Sequence, residues 1–296
     1  MEIYRTPDER FTDLPFWDFT PNYCEVNSLR MHYIDEGSPD APVMLLLHGE
    51  PSWSYLYRHW ITVLVDAGYR VIALDAVGFG RSDKVTDPDW YSLDRHVDQL
   101  VGFIEALNLR TITIAVQDWA GPVGLIVATE HSDRFVRLLV MNTWLHHHGF
   151  EYSDAIRAWH EMAKAPDLAF GSIVGGESSR CSCDSAEVLS VGFEAPFTDR
   201  ASMAGAVAWP AMLPYVDPDR AGAERQERAL SALASWDRPA HFLFGDRDRI
   251  FTVEWGERFA AMVPRATFGA VLGGTHFVQE VGRPLAERFL DLIAAE

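Results

Sequence analysis

Three short apolar runs in the sequence are each followed by side chains that can perform acid-base chemistry. Asp118 stands in the sequence Gln-Asp-Trp-Ala-Gly after one run, and Gly-Gly-Thr precedes His276 after another. Between them in the chain, Gly-Asp-Arg-Asp supplies Asp246 and Asp248 after a third run. The three runs are residues 111–116, 267–272 and 241–244. A nucleophile, an acid and a histidine in this chain order are typical of hydrolases that form a covalent intermediate.

The segment around Asp118 has the pattern of a nucleophile elbow, a sharp turn between a strand and a helix that exposes one side chain. Small residues follow at Ala120 and Gly121, where the backbone of such a turn is crowded. A carboxylate is already ionised at neutral pH, so it can displace a leaving group from saturated carbon. The pattern therefore indicates a carboxylate nucleophile and argues against a serine esterase, although an aspartate here could also cap a helix.

His276 is the candidate base that activates water, and one nearby aspartate would orient its imidazole ring. We assign that role to Asp248, because the first acidic position after a strand more often serves the turn. Asp246 stays open as the alternative acid.

The elements that must position these residues alternate along the chain. Apolar runs predict buried strands at residues 43–47, 70–74, 111–116, 137–141, 241–244 and 267–272, and an antiparallel edge strand at residues 29–35. Helical periodicity predicts helices at residues 55–67, 93–107, 121–130, 253–262 and 284–294. This alternation predicts an α/β fold with a mostly parallel sheet flanked by helices. In such sheets, ligands bind outside the carboxyl ends of the strands.

The interval of residues 143–214 breaks this alternation, because it has no strand-like run and contains short helical pieces such as residues 154–163. We interpret it as a helical cap domain inserted into a core domain of residues 1–142 and 215–296.

Six sequence segments resemble haloalkane dehalogenases, which have the α/β-hydrolase fold. The segments are RTPDERF (5–11), HGEPSWSYLYR (48–58), GFGRSDK (78–84), VQDWAG (116–121), EAPFTD (194–199) and THFVQE (275–280). The resemblance runs through the chain and is strongest to the subfamily whose acid follows the seventh strand. Relatives whose acid follows the sixth strand would carry an acidic residue near position 142, where this chain has Asn142. The resemblance weakens between residues 149 and 191, which include the unusual stretch GGESSRCSC.

The resemblance implies hydrolysis of a small haloalkane through an ester of the nucleophile, with a halide ion as product and no metal or organic cofactor. It assigns the oxyanion hole to the backbone N–H groups of Glu50 and Trp119. It also assigns halide binding to the indole N–H groups of Trp119 and Trp159, since an indole offers one donor and no acceptor. Trp144 is the alternative second donor, and Trp159 could instead only pack the cap against the core.

Two other functions stay open on the sequence. Epoxide hydrolases use the same nucleophile, histidine and acid, and protonate the epoxide oxygen with cap tyrosines, for which Tyr152 and Tyr215 are candidates. A non-catalytic receptor for small molecules would not need a nucleophile, a base and an acid together. The HGEPSW segment and Trp159 favour the dehalogenase.

Composition sets the remaining expectations. The formal net charge of −18 at pH 7 argues against nucleic acids and anionic membranes as partners. Three cysteines are too few for a disulfide framework, and the charged amino-terminal segment does not resemble a signal peptide, so we expect a cytoplasmic location. The clusters at residues 146–148 (three histidines) and 181–183 (Cys-Ser-Cys) lack the spacing of zinc ligands and are predicted to be loops.

Overall fold

An eight-stranded sheet forms the centre of the structure, a computed structural model that describes residues 1–165 and 168–296. Its strands are β1 (Asn22–Val26), β2 (Leu29–Glu36), β3 (Val43–Leu47), β4 (Arg70–Leu74), β5 (Ile112–Gln117), β6 (Phe135–Met141), β7 (Ala240–Gly245) and β8 (Ala266–Val271). They lie in the order β8-β7-β6-β5-β3-β4-β2-β1. β2 runs antiparallel to both of its neighbours, and the six strands β3 to β8 are parallel to one another.

The six strands predicted from apolar runs are present, each within two residues of its predicted bounds. The prediction that all six are buried on both faces was wrong for β8, an edge strand in which only Val271 is buried. The prediction that residues 29–35 form the edge of the sheet was wrong, because β1 pairs with β2 on its outer side. The sequence of β1, Asn-Tyr-Cys-Glu-Val, is largely polar and only its last residue is buried. A strand of this kind has neither a continuous apolar run nor a clear alternation, so its pattern did not reveal it.

Ten helices are found among the described residues. They are α1 (Arg58–Asp66), α2 (Leu93–Ala106), α3 (Ala120–Glu130), α4 (Asp154–Met162), α5 (Phe170–Ser178), α6 (Ala186–Glu194), α7 (Ala204–Ala211), α8 (Ala223–Leu233), α9 (Val253–Ala261) and α10 (Arg283–Ala294). Within those residues, no helix is both long and apolar enough to cross a membrane.

Helices cover both faces of the sheet because the strands are apolar on both sides. In β3, Leu45 packs in one hydrophobic cluster with residues of α2, α3 and α9, whereas the neighbouring Leu46 packs in a second cluster with residues of α1 and α10. Successive side chains of a strand point to opposite faces, so a run of five apolar residues serves both layers. This packing fixes the strand ends that carry the candidate site.

Four helices, α4 to α7, follow β6 and occupy the interval that the sequence predicts to be a cap. Ser153 accepts a hydrogen bond from the N–H of Ile156 and so begins α4, the helix that carries Trp159. Ile156 and Trp159 are three residues apart, so they share one face of this helix. α5 and α6 cross closely, because a Cβ atom at Gly171 would lie 2.4 Å from the backbone of Glu194.

Candidate active site

Asp118 lies in a sharp turn between β5 and α3. Its φ is 51°, in the left-handed region, and its N–H donates to the carbonyl of Asn142 at 2.9 Å. A Cβ atom at Gly121 would lie 1.7 Å from Oγ1 of Thr143, and one at Gly49 would lie 2.4 Å from Cβ of Asp118. The small residues are therefore required by crowding, as expected for a nucleophile elbow. The capping position of α3 is the next residue, so the alternative in which Asp118 is a helix cap does not hold.

His276 follows β8 and lies between two carboxylates. Its Nδ1 atom is 3.0 Å from Oδ2 of Asp248, and its Nε2 atom is 3.6 Å from Oδ2 of Asp118. The side chain of Asp248 is fully buried and also accepts from the N–H of Ile250 at 2.7 Å. Asp246 is instead exposed and accepts from the N–H of Gly273 at 2.7 Å. The structure thus brings Asp248, and not the alternative Asp246, against the imidazole.

Two amide side chains complete the surroundings of the histidine, and the sequence did not single out either as part of the site. Asn142, at the end of β6, donates to Oδ2 of Asp248 at 2.6 Å and accepts from the N–H of Gly245 at 3.0 Å. The amide nitrogen of Gln117 lies 3.1 Å from Nε2 of His276 and donates to its carbonyl oxygen at 3.1 Å. Gln117 directly precedes Asp118 in the sequence, and this was the signal that could have identified it as part of the site.

The oxygens of Asp118 have different surroundings. Oδ1 accepts from the backbone N–H of Glu50 at 2.9 Å, whereas Oδ2 faces His276. The N–H of Trp119, the other expected donor, stands at the amino end of α3, where helix N–H groups have no partner within the helix. The backbone N–H of Glu50 on Oδ1 suits an oxygen that gains negative charge during a reaction, and the second donor at Trp119 stays a prediction.

The charges in the site act on one another. Burial opposes a charge on His276, but the charges of Asp248 and Asp118 and their hydrogen bonds outweigh burial and raise the pKa of the imidazole to about 10. Burial and then the charge on Asp118 hold the pKa of the Glu50 carboxyl group well above its usual range.

A cavity of about 540 Å³ lies over Asp118 and His276. Trp119 and Trp159, the two tryptophans predicted to bind halide, both line this cavity, and so does the alternative, Trp144. The ring of Trp119 packs edge-on against Trp144 and Trp209, each with ring centres 5.0 Å apart, so its orientation is fixed from two sides. Most of the other lining side chains are apolar, among them Ala155, Ile156, Met162, Ile173, Leu213 and Phe251.

Trp159 makes a contact that the sequence did not predict. Its indole N–H donates to Oε2 of Glu50 at 2.9 Å, so the expected halide donor is bound to a carboxyl group of the core. The two residues are 109 positions apart in the chain.

The segment of residues 149–191, which resembles the family least, rests on the loop that carries His276. The hydroxyl of Thr275 donates to the carbonyl of Glu177, and it also contacts Sγ of Cys181 at 3.3 Å. Asp184 pairs with the buried Arg58 of α1 at 2.9 Å. This segment therefore contributes both to the cavity wall and to the support of the candidate base.

Comparisons with known proteins agree with this geometry. The sequence profile of the alpha/beta hydrolase fold family matches residues 42–176. A haloalkane dehalogenase of Mycolicibacterium paratuberculosis is 42% identical over 303 residues, with 98% of each chain covered. The chain belongs to the haloalkane dehalogenase family. A second family member, from Psychrobacter cryohalolentis, is 38% identical over 95% of this chain and 94% of its own length.

A solved structure of a haloalkane dehalogenase extends the comparison. The tetrameric haloalkane dehalogenase DpaA of Paraglaciecola agarilytica superposes with a TM-score of 0.91 at 33% identity, and 97% of each chain is covered. The α/β-hydrolase fold and the resemblance to haloalkane dehalogenases predicted from the sequence are thereby confirmed. The roles of individual residues stay predictions.

Proposed function

We propose that this chain hydrolyses the carbon–halogen bonds of small haloalkanes to an alcohol, a halide ion and a proton. The observation that carries the proposal is the contact series Asp118, His276 and Asp248 beside a largely apolar cavity. The base, His276, lies between the nucleophile and the acid, which is the arrangement that hydrolysis through a covalent intermediate requires. An apolar wall suits a neutral alkyl substrate.

In the first step, Oδ2 of Asp118 attacks the carbon that bears the halogen. Oδ1 is engaged by the N–H of Glu50, so Oδ2 is the oxygen left to react. A carbon–oxygen bond forms as the carbon–halogen bond breaks, and the halide leaves with the electron pair. The indole N–H groups of Trp119 and Trp159 stabilise the leaving halide, which an apolar pocket alone would not.

In the second step, water attacks Cγ of the Asp118 ester while His276 removes its proton. The oxyanion forms on Oδ1, beside the N–H groups of Glu50 and Trp119. Asp248 stabilises the resulting imidazolium and keeps the ring in orientation. The imidazolium then returns a proton to the departing alcohol oxygen. One oxygen of water stays on Asp118, and the carboxyl group loses its remaining proton to solvent, which restores the carboxylate and accounts for the proton among the products.

Ester formation itself prepares the base. The charge on Asp118 is one of the causes that raise the pKa of His276. An ester carries no charge, so this contribution disappears once the alkyl group is attached. The pKa of the imidazole falls at the step in which a neutral ring is needed.

The same site offers less to an epoxide. Neither Tyr152 nor Tyr215 is among the described residues that line the cavity. The hydroxyl of Tyr152 lies 2.9 Å from His146, and that of Tyr215 lies 3.2 Å from His160. An epoxide oxygen bound at Asp118 would therefore lack a tyrosine to protonate it, which supports the dehalogenase over the epoxide hydrolase.

The proposal is tested by replacing His276 with phenylalanine, which removes the base and keeps a ring of similar size. With 1,2-dibromoethane, His276→Phe should release about one bromide per active site in a burst and then stop, because the ester cannot be hydrolysed. Intact-protein mass spectrometry should show one added bromoethyl group, and peptide mapping should locate it on Asp118. His131→Phe, at the far end of α3, is the matched control and should turn over repeatedly.

Steady turnover by His276→Phe, or an alkyl group on another residue, would contradict this mechanism. An ester trapped from styrene oxide but not from 1,2-dibromoethane would replace the dehalogenase with the epoxide hydrolase. Ligand binding by the unaltered chain without any turnover of either compound would indicate a receptor.

A further inference from the structure

The carboxyl group of Glu50 holds the indole that is expected to bind halide. Oε2 of Glu50 accepts the N–H of Trp159 at 2.9 Å, while Oε1 is buried and has no hydrogen-bond partner within the described part of the chain. Both residues line the same cavity as Asp118 and Trp119. An indole has a single N–H, so it cannot donate fully to Glu50 and to a halide at the same time.

This hydrogen bond joins the core to the cap across the site. Glu50 follows β3, and its backbone N–H is fixed on Asp118 at 2.9 Å. Trp159 belongs to α4, where Ile156 anchors the same helix face in the hydrophobic core. The backbone of each partner is thus held by its own domain, and only the two side chains need to move for the bond to open.

Resting on the function proposed above, we propose that the Glu50 carboxyl group occupies the halide position on Trp159, and that a halide ion binds by displacing it. The halide produced in the first step then meets a competing anion that is attached to the protein. Return of the carboxyl group to the indole favours departure of the halide. Glu50 thereby tunes halide release in addition to supplying a backbone N–H to the oxyanion hole.

The charges around Glu50 set the direction of a pH effect. Asp118 repels a negative charge on Glu50, His276 attracts one, and Trp159 is a neutral donor. Burial and the charge on Asp118 together raise the pKa of Glu50 well above its usual range. Below that pKa, Glu50 is neutral and competes weakly with halide. Above it, the carboxylate competes and repels, so halide affinity should fall as pH rises through the pKa of Glu50.

The test measures bromide affinity by quenching of tryptophan fluorescence, with sodium sulfate at equal ionic strength as the blank. Glu50→Gln keeps the shape and an acceptor oxygen but carries no charge. At a pH above the pKa of Glu50 it should bind bromide on the order of 10-fold more tightly, the size expected when the competing hydrogen bond to the indole changes from a charge-assisted to a neutral one, and its affinity should lose the pH step. In a Trp159→Phe background the same substitution should change affinity less than about twofold, because the contested N–H is gone.

Glu177→Gln is the matched control. Glu177 also lines the cavity, but it pairs with Arg180 at 2.9 Å, and among the described residues no hydrogen bond joins it to Trp119 or Trp159. Its neutralisation should change bromide affinity less than about twofold. An equal gain from Glu177→Gln and Glu50→Gln would show that only the overall charge matters, which overturns the proposal.

Two other results would also overturn it. One is a gain from Glu50→Gln that is as large with phenylalanine at position 159 as with tryptophan, since the effect would then not pass through the indole. The other is a bromide affinity of the unaltered chain that does not fall with rising pH, or that falls by the same factor in Trp159→Phe. This measurement does not need Glu50→Gln, so it tests the proposal even if that variant fails to fold. Bromide release from 1,2-dibromoethane by the unaltered chain shows separately whether the proposed function itself stands.

Discussion

Replacement of Asp248 by asparagine tests the support of the base, and its effect follows from the hydrogen bonds of one oxygen. Oδ2 accepts from Asn142 at 2.6 Å and lies 3.0 Å from Nδ1 of His276, while Oδ1 accepts from the N–H of Ile250 at 2.7 Å. Every contact around this carboxylate is a donor. An amide must therefore turn its NH2 group toward a donor in either orientation, and residues 1–165 and 168–296 place no acceptor there to receive it.

The Asp248→Asn substitution affects the imidazole of His276 in two ways. The charge that stabilises the imidazolium is gone, and in the orientation that turns the NH2 group toward Nδ1 the wrong tautomer of His276 is selected. Loss of both effects in a buried triad lowers kcat by about 10⁴-fold, which is about 5.5 kcal/mol of activation free energy. Alkylation does not use the base, so rapid-quench analysis should still find about one bromide released per site from 1,2-dibromoethane.

Asp246→Asn is the control for this experiment. Asp246 is exposed and its contact is with the N–H of Gly273, which an asparagine oxygen also accepts. Its kcat should stay within about twofold of the unaltered chain, as for most surface substitutions. A larger loss from Asp246→Asn than from Asp248→Asn would refute the assignment of the acid. Loss of the bromide burst in Asp248→Asn would refute the separation of the two steps.

Three further predictions concern steric crowding, pH and stability. Gly49→Ala should abolish halide release, because its Cβ atom would lie 2.7 Å from Oδ1 of Asp118, and a normal circular dichroism spectrum with full activity would contradict this. Hydrolysis of the ester needs neutral His276, so the single-turnover rate of hydrolysis should fall as pH drops through the pKa of His276 in the alkylated enzyme. That pKa should lie below the value of about 10 that His276 has in the free enzyme. A rate that does not change with pH would contradict the role of His276 as the base. Glu280→Gln should lower the free energy of unfolding, measured in urea, by about 3–5 kcal/mol, because it removes the carboxylate that pairs with the fully buried Arg58. A loss under 1 kcal/mol would show that Asp184 alone compensates the charge of Arg58.

The parts of the fold that could be predicted are those whose signal lies in adjacent residues. β3 and β5 are buried on both faces, so all positions except Thr113 and Gln117 are apolar and each strand stands out in the sequence. β1 and α8 were missed because each presents a largely polar face to solvent. Their identity as strand and helix depends on the neighbours against which they pack, which a local pattern does not contain.

The candidate site shows the same limit. Asp118, His276 and Asp248 were found because each follows a strand, and parallel strand ends meet at one edge of the sheet. The hydrogen bond between Glu50 and Trp159 was not predicted, since it depends on how α4 packs over the end of β3. The sequence carries both residue types but gives no distance between them.

The backbone angle of Asp118 has a consequence for the history of the chain. With φ at 51°, a residue that bears a Cβ atom is held in a conformation that only glycine adopts without steric cost, while asparagine and aspartate tolerate it. The backbone conformation by itself would therefore favour glycine at this position, whereas catalysis favours the carboxylate. In a lineage that no longer needed the reaction, mutation toward glycine would relieve this steric cost, set against the loss of the contacts of Asp118 with the N–H of Glu50 and with His276. The residue found at position 118 in a descendant sequence thus records whether the chemistry is still under selection.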